Sequence, residues 1–205
     1  MGYEVLLHLV RHGRPLIEPG KPASSWRLDA AASPDVQGLQ VFMRTNAAAA
    51  SWHSSDEPKA IATASALTDG EVEVVPMLRE AVRADWFPHQ DQFQAAALAA
   101  FARPAHAARP GWEPFDQTRA RIRATADKIV KRSRTDVVLV GHGTAWTLLV
   151  SDITGQPPDL ESWRRLGQPD LCTLDLDTTS VVRAWGTWQL NDSPAARSCR
   201  PRASK

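Results

Sequence analysis

Arg11-His12-Gly13 sets a candidate nucleophile beside a fixed cation. A neutral imidazole can attack phosphorus, and a guanidinium neutralises phosphate without ever giving up its charge. The tripeptide follows Val5-Leu6-Leu7-His8-Leu9-Val10, a short apolar run closed by Gly13 and Pro15. Such a run reads as a buried parallel strand, which puts His12 just past its carboxyl end, where open α/β sheets bind ligands. A second run, Val137-Val138-Leu139-Val140, ends in Gly141-His142-Gly143 and repeats the design. Parallel strands bring both imidazoles to one rim. The bland alternative, a histidine capping the helix that follows, has to apply twice.

The elements that must position these residues show in the periodicity. Ser33-Pro34-Asp35 predicts a helix start, with Ser33 as N-cap and Pro34 in the first position, leading toward Ala50 despite Gly38. Pro58 opens a second helix in which Ile61, Ala64 and Leu67 form an apolar stripe, and Val72 to Val75 reads as strand. Phe115, Thr118, Ile122, Ala126 and Ile129 keep helical spacing across 115–132. A helix from Ala145 to Ile153 follows His142. Leu171 to Leu176 and Val181 to Trp188 read as late strands joined by the turn Asp177-Thr178-Thr179-Ser180. Strands alternating with helices predict an α/β fold, a three-layer α/β/α sandwich with a mostly parallel central sheet. Residues 84–114, with Trp86, Phe87, Trp112 and several prolines, lack clean periodicity and read as an excursion over the sheet edge. The expected organisation is one domain over 1–190 and a disordered tail over 191–205, polar and basic from about Asp192.

Composition narrows the classes of function. The 205 residues carry 24 Lys and Arg against 23 Asp and Glu, so a net charge of +1 gives no case for a nucleic-acid or membrane partner. Cys172 and Cys199 are too few for a disulfide framework, which makes a reduced, cytoplasmic protein the default. The chain enters a strand within a few residues, without signal-peptide character. No run approaches membrane-spanning length, and the residue six from the start lacks the hydroxyl of a myristoylation signal.

Four motifs, in order, carry a family resemblance: Leu9-Val10-Arg11-His12-Gly13; Ser54-Ser55 through Lys59-Ala60 to Thr63-Ala64; Leu78-Arg79-Glu80; and Val140-Gly141-His142-Gly143. Together they resemble the histidine phosphatase superfamily, branch 1 type, and imply a phosphoglycerate mutase-like fold. The resemblance implies that His12 takes up the phosphoryl group while Arg11 and His142 hold its oxygens. Lys59 stands where the family usually has a second Arg, and a point charge holds phosphate with less geometric definition than a guanidinium. Arg11 and Lys59 would keep His12 neutral, whereas a bound dianion would favour protonated His142. Backbone amides at Gly13 and at the helix after His142 are further candidate phosphate donors. Ser54 or Ser55 could add a hydroxyl, or simply cap the turn.

Glu80 matches the family's proton donor, which protonates the leaving oxygen and then activates water. The alternatives are a surface ion pair with Arg79 or Arg83, and substitution by Asp85. Arg14 and Glu18 replace an acid and an Asn that are frequent in the family's first loop, and are candidate substrate contacts. Trp86 and Phe87, with His89 and Trp112, could form a lid over the leaving group or pack the excursion onto the sheet.

The resemblance implies a histidine acid phosphatase-type phosphoric monoester hydrolase, independent of metal and cofactor, acting on a small phosphorylated metabolite through phosphohistidine at His12. A homodimer is the candidate assembly. A phosphoglycerate mutase-type phosphotransferase is the first alternative, but residues 84–114 offer only Arg103 and Arg109 for extra anion binding. A non-catalytic phospholigand-binding protein is the second, motivated by Lys59 and the altered loop; such a protein has no need of Glu80. A metal hydrolase ranks below these, because His12 and His142 lack the close carboxylate or Cys partners that complete zinc sites.

Overall fold

A computed structural model describes residues 5–189. The expected disordered tail and Cys199 lie outside the described residues. Strands β1 (Leu6–Arg11), β2 (Ser51–Ser54), β3 (Val72–Val74), β4 (Val137–Gly141), β5 (Asp170–Asp175) and β6 (Ser180–Arg183) form one sheet in the order β3-β2-β4-β1-β5-β6. The pairings β1 with β4, β4 with β2 and β2 with β3 are parallel, while β5 and β6 add an antiparallel flank. The central pair is covered on both faces, so its sequences are continuous apolar runs rather than alternating ones.

Register decides where the chemistry stands. Arg11 pairs with Gly141 and Ser54 with Val140, so β1, β2 and β4 end in one row. The row continues past the strands: His12 N donates to Gly141 O at 2.9 Å and Ser55 N to Val140 O at 3.0 Å.

Helices cover both faces. On one, Leu7, Leu9 and Leu139 pack against Ile122 and Ile129 of α4 (Phe115–Arg132) and Trp146 and Leu149 of α5 (Gly143–Thr154). On the other, Val10, Val138 and Val140 meet Val36, Leu39 and Met43 of α1 (Ser33–Asn46) and Ala64 and Leu67 of α2 (Pro58–Leu67). Further helices are α3 (Gln90–Ala102) and the short α6 (Leu160–Arg165). Among the described residues no helix is long and apolar enough to cross a membrane. Cys172 is buried in β5, and loss of hydration, reinforced by Asp170, pushes its thiol up to about 12, so it is inert as a nucleophile.

The expected boundaries shift where side chains choose different partners. Ser33 is not the cap of α1. Asp29 accepts from Ala31 N at 2.9 Å and opens a 3-10 turn, Ala30–Ala32, that runs directly into α1, which stops at Asn46. The buried face of α2 is Lys59, Ala60, Thr63, Ala64 and Leu67, leaving Ile61 half-buried. The final strand ends at Arg183, and Trp188 beyond it packs into the α1–α2 core. The excursion contains α3, whose alanines sit on buried and open faces alike and blur the stripe.

Gly141 and Gly143 make room around His142. A Cβ on Gly141 would stand 2.5 Å from the Trp146 ring, which donates Nε1–H to Val10 O at 2.8 Å. A Cβ on Gly143 would press on Leu166 at 3.0 Å and on Arg11 Nε at 3.3 Å.

Candidate active site

The ends of β1 and β4 deliver the central residues. His12 is 5% exposed, and its Nδ1 lies 2.7 Å from Gly13 O. A carbonyl only accepts, so Nδ1 carries the proton and Nε2 keeps its lone pair. Burial, and then the neighbouring His142, Lys59 and Arg11, hold the His12 pKa well below the usual 6.5. The ring is therefore neutral at physiological pH. The His142 ring stands edge-on to it, with centroids 5.2 Å apart.

Arg11 donates Nη1 to Leu166 O at 2.7 Å and Gly167 O at 3.2 Å, while its buried Nε has no hydrogen-bond partner. Burial draws the guanidinium down to about 10 against the pull of Glu80 and Asp170, so it stays charged. Asp170 organises that support: its carboxylate accepts from Gly167 N, Leu171 N and Gly186 N, each at 2.8 Å.

His142 precedes α5 and is 1% exposed. Its Nε2 is 2.7 Å from Ser55 Oγ and 3.3 Å from Glu57 Oε1, which leaves Nδ1 for a ligand. Burial dominates its titration and holds it at about 3; Glu80 pulls the other way, and Lys59, Arg83 and Arg11 assist the lowering. At physiological pH this histidine is neutral.

Glu80 is placed by backbone rather than by a surface ion pair. Its Oε1 accepts from Ala145 N at 2.9 Å and Ala81 N at 3.0 Å, and its Oε2 from Thr144 N at 3.1 Å, at the positive end of α5. Arg79 instead pairs with Asp56, and Arg83 lies over the Phe93 ring at 4.6 Å. Asp85 is committed to Arg109 Nε at 2.5 Å and Trp112 Nε1 at 3.1 Å, so it does not stand in for Glu80. Arg121, which sequence reading passed over, clamps the segment. It donates to Met77 O (2.8 Å), Arg79 O (3.0 Å) and Glu80 O (3.3 Å), and is itself paired with Glu113 at 2.7 Å.

A cavity of about 570 Å³ opens above this base, floored by Arg11, His12, Glu57, Lys59, Glu80 and His142. Its upper wall includes Arg14, Trp86, Phe87 and His89. Arg14 is exposed and paired with Asp29 at 3.2 Å. Trp86 is 37% exposed, while Phe87 is stacked edge-on against Phe93 and Trp112. Trp112 is buried in that aromatic cluster as a packing residue.

Several expectations change. Gly13 does not offer its amide to phosphate, because that N–H goes to Thr63 Oγ1 at 3.0 Å. The amides of Thr144 and Ala145 are likewise taken, by Glu80. Neither serine lines the cavity; Ser54 turns its hydroxyl onto Ser55 O at 2.9 Å, whereas Ser55 Oγ reaches His142 Nε2 at 2.7 Å. Glu18 pairs with Lys21 at 2.7 Å and lies outside the cavity wall. Lys59 is in the pocket and buried, but its Nζ already donates to Ala23 O at 2.7 Å and to Glu57 Oε2. Glu57 was not singled out from the sequence. The only signal was a carboxylate inside the Ser55-to-Lys59 motif. Among the described residues no group of three or more His, Cys, Asp or Glu could hold a metal ion.

This geometry can be set beside known proteins. A comparison with curated proteins found no match. Among solved structures, the chain is similar to an Entamoeba histolytica phosphoserine phosphatase variant in complex with phosphoserine (TM-score 0.71, 15% identity, 90% of this chain and 98% of that one). It is also similar to a mycobacterial glucosyl-3-phosphoglycerate phosphatase in complex with inorganic phosphate (TM-score 0.69, 22% identity, 90% and 97%). A third likeness is to a structure named mycobacterial hydrolase 1 (TM-score 0.67, 23% identity, 84% and 92%). These likenesses show a shared fold. The profile of the histidine phosphatase superfamily (branch 1) matches residues 7–189, which span both strand-end histidines, Arg11 and Glu80, and the chain belongs to that family.

Proposed function

We propose that the protein is a phosphomonoesterase that works through phosphohistidine at His12. The observation that carries this reading is the His12 tautomer: Nδ1–H is fixed on Gly13 O, so Nε2 is the free nucleophile at the cavity floor. In the first step Nε2 attacks phosphorus, the P–O bond to the leaving group breaks, and Glu80 gives its proton to the departing oxygen. In the second, Glu80 takes a proton from water as the oxygen attacks phosphorus, the P–N bond breaks, and inorganic phosphate leaves. Arg11 Nε and His142 Nδ1 are the donors for the phosphoryl oxygens.

Hydrolysis is favoured over transfer because the 84–114 excursion adds no arginine to the cavity, Arg109 being paired with Asp85 and Arg103 lying off the wall, whose other guanidiniums are Arg14, Arg83 and Arg164. Binding without turnover is a second reading, favoured by the engagement of Lys59 with Glu57. One experiment separates these: phosphate release from a panel of phosphorylated metabolites in EDTA, run beside His12→Ala. Release that stops in EDTA, or survives His12→Ala, removes the phosphohistidine mechanism; no release at all favours binding.

Trp86 and Phe87 form the wall nearest the leaving group in this reading, with the substrate a small phosphorylated molecule. Trp86→Ala is expected to change relative rates among phosphomonoesters several-fold while Tm moves little, since the ring is part-exposed. A uniform loss that tracks thermal stability would make Trp86 a packing residue. Arg121→Met should release the Glu80 segment, lowering kcat about tenfold to a hundredfold with KM nearly constant. It should also cost about 1–3 kcal/mol of stability in thermal unfolding, because the carbonyls it serves lose their donor. An unchanged kcat would show that Glu80 holds its place without the clamp.

A further inference from the structure

We infer that Glu57 makes phosphate binding proton-coupled: its carboxylate compensates Lys59 and supports the imidazolium of His142 when a phosphoryl group arrives. The inference rests on this cavity being the phosphate site, as proposed above.

Glu57 is 6% exposed and touches three members of the site at once. Oε2 meets Lys59 Nζ, while Oε1 is 3.3 Å from His142 Nε2 and accepts from Glu80 N at 3.1 Å. It immediately precedes α2 yet does not cap it with its side chain, so local helix chemistry does not explain its position. A buried carboxylate beside a phosphate site opposes the ligand unless it has another task.

The charges at the floor show what that task is. With both histidines neutral, Glu57 and Glu80 offset two of the cations that line the cavity, and Arg14, Arg83 and Arg164 stand there with Asp85. A proton on His142 adds positive charge directly beside an entering dianion. His142 is faced by Arg11 and His12 from the end of β1, by Ser55 and Glu57 from the turn after β2, by Lys59 from α2, and by Glu80 and Arg83 from the segment after β3. A proton taken from solvent by this ring gives two N–H donors. Nε2–H then points to Ser55 Oγ and Glu57 Oε1, and Nδ1–H to a phosphoryl oxygen. One proton enters with each dianion, and Glu57 supplies the opposite charge on the far side of the ring.

The test is calorimetric titration with inorganic phosphate at pH 8.5, where the free ligand is a dianion, in two buffers of different ionisation enthalpy. The intact protein is expected to take up close to one proton per phosphate. Glu57→Gln keeps the shape and hydrogen-bonding capacity but not the charge. Its proton uptake should fall toward zero, and its affinity at pH 8.5 should tighten about tenfold as the repulsion is removed. Uptake near zero in the intact protein overturns the inference without any variant. Uptake and affinity unchanged in Glu57→Gln also overturn it, by placing the proton on another group such as His12. A protein that binds no phosphate would instead remove the phosphatase reading itself.

Discussion

His12→Ala is expected to lower phosphate release by about 10⁴-fold or more, to the level left by binding and electrostatics alone. The variant deletes the proposed nucleophile and leaves Arg11, Lys59 and His142 in place, so a phosphorylated substrate should still bind. Rapid acid-free quenching of the intact protein with labelled substrate should trap an acid-labile phosphoenzyme, and His12→Ala should trap none. The fold should tolerate the change, because the ring has one hydrogen bond, to Gly13 O, and α1 and α2 pack elsewhere on the sheet. The pH dependence has a definite sign. A histidine pKa held below 6.5 means the neutral ring persists as pH falls through 6.5, so His12 should not limit turnover between pH 7 and 6. A phosphoenzyme formed equally well without His12 would move the nucleophile elsewhere.

Glu80→Gln is expected to reduce turnover of alkyl phosphates by about 10²- to 10⁴-fold, the usual worth of general acid-base catalysis. Comparing leaving groups separates chemistry from packing. An alkoxide needs a proton to depart and a nitrophenolate does not, so the loss should be much smaller for p-nitrophenyl phosphate when phosphorylation of His12 limits the rate. Gln retains an oxygen acceptor for the amides at the start of α5 and so should keep most of the capping, whose full loss would cost about 0.5–2 kcal/mol. Equal losses with every leaving group, in proportion to a fall in Tm, would reduce Glu80 to a structural cap.

The two predictions rest on residues read with different ease. His12 and His142 were visible as a pair because each closes an apolar strand, and a parallel pairing leaves strand ends on one rim. Glu80 could be placed near them only through resemblance. Its three backbone donors come from Ala81 and from the start of α5, some 64 residues away in the chain.

What the sequence determined by itself is the part governed by local period and strand polarity. The long helix Phe115–Arg132 is amphipathic at 3.6 spacing and formed with the expected bounds and buried face. β4, and β1 apart from His8 and Arg11, are apolar on both faces, and the two became the centre of a mostly parallel sheet. The alanine-rich α3 and the start of α1 escaped because the first has no contrast between faces and the second is opened by Asp29, upstream of the expected cap. Tertiary structure alone decided the partners of the polar groups. Ser55 rather than Ser54 meets His142 across 87 residues, Gly13 spends its amide on Thr63, and Lys59 is bound to Glu57. A buried donor or acceptor takes whichever partner the packed chain brings within about 3 Å, and no local pattern encodes that choice.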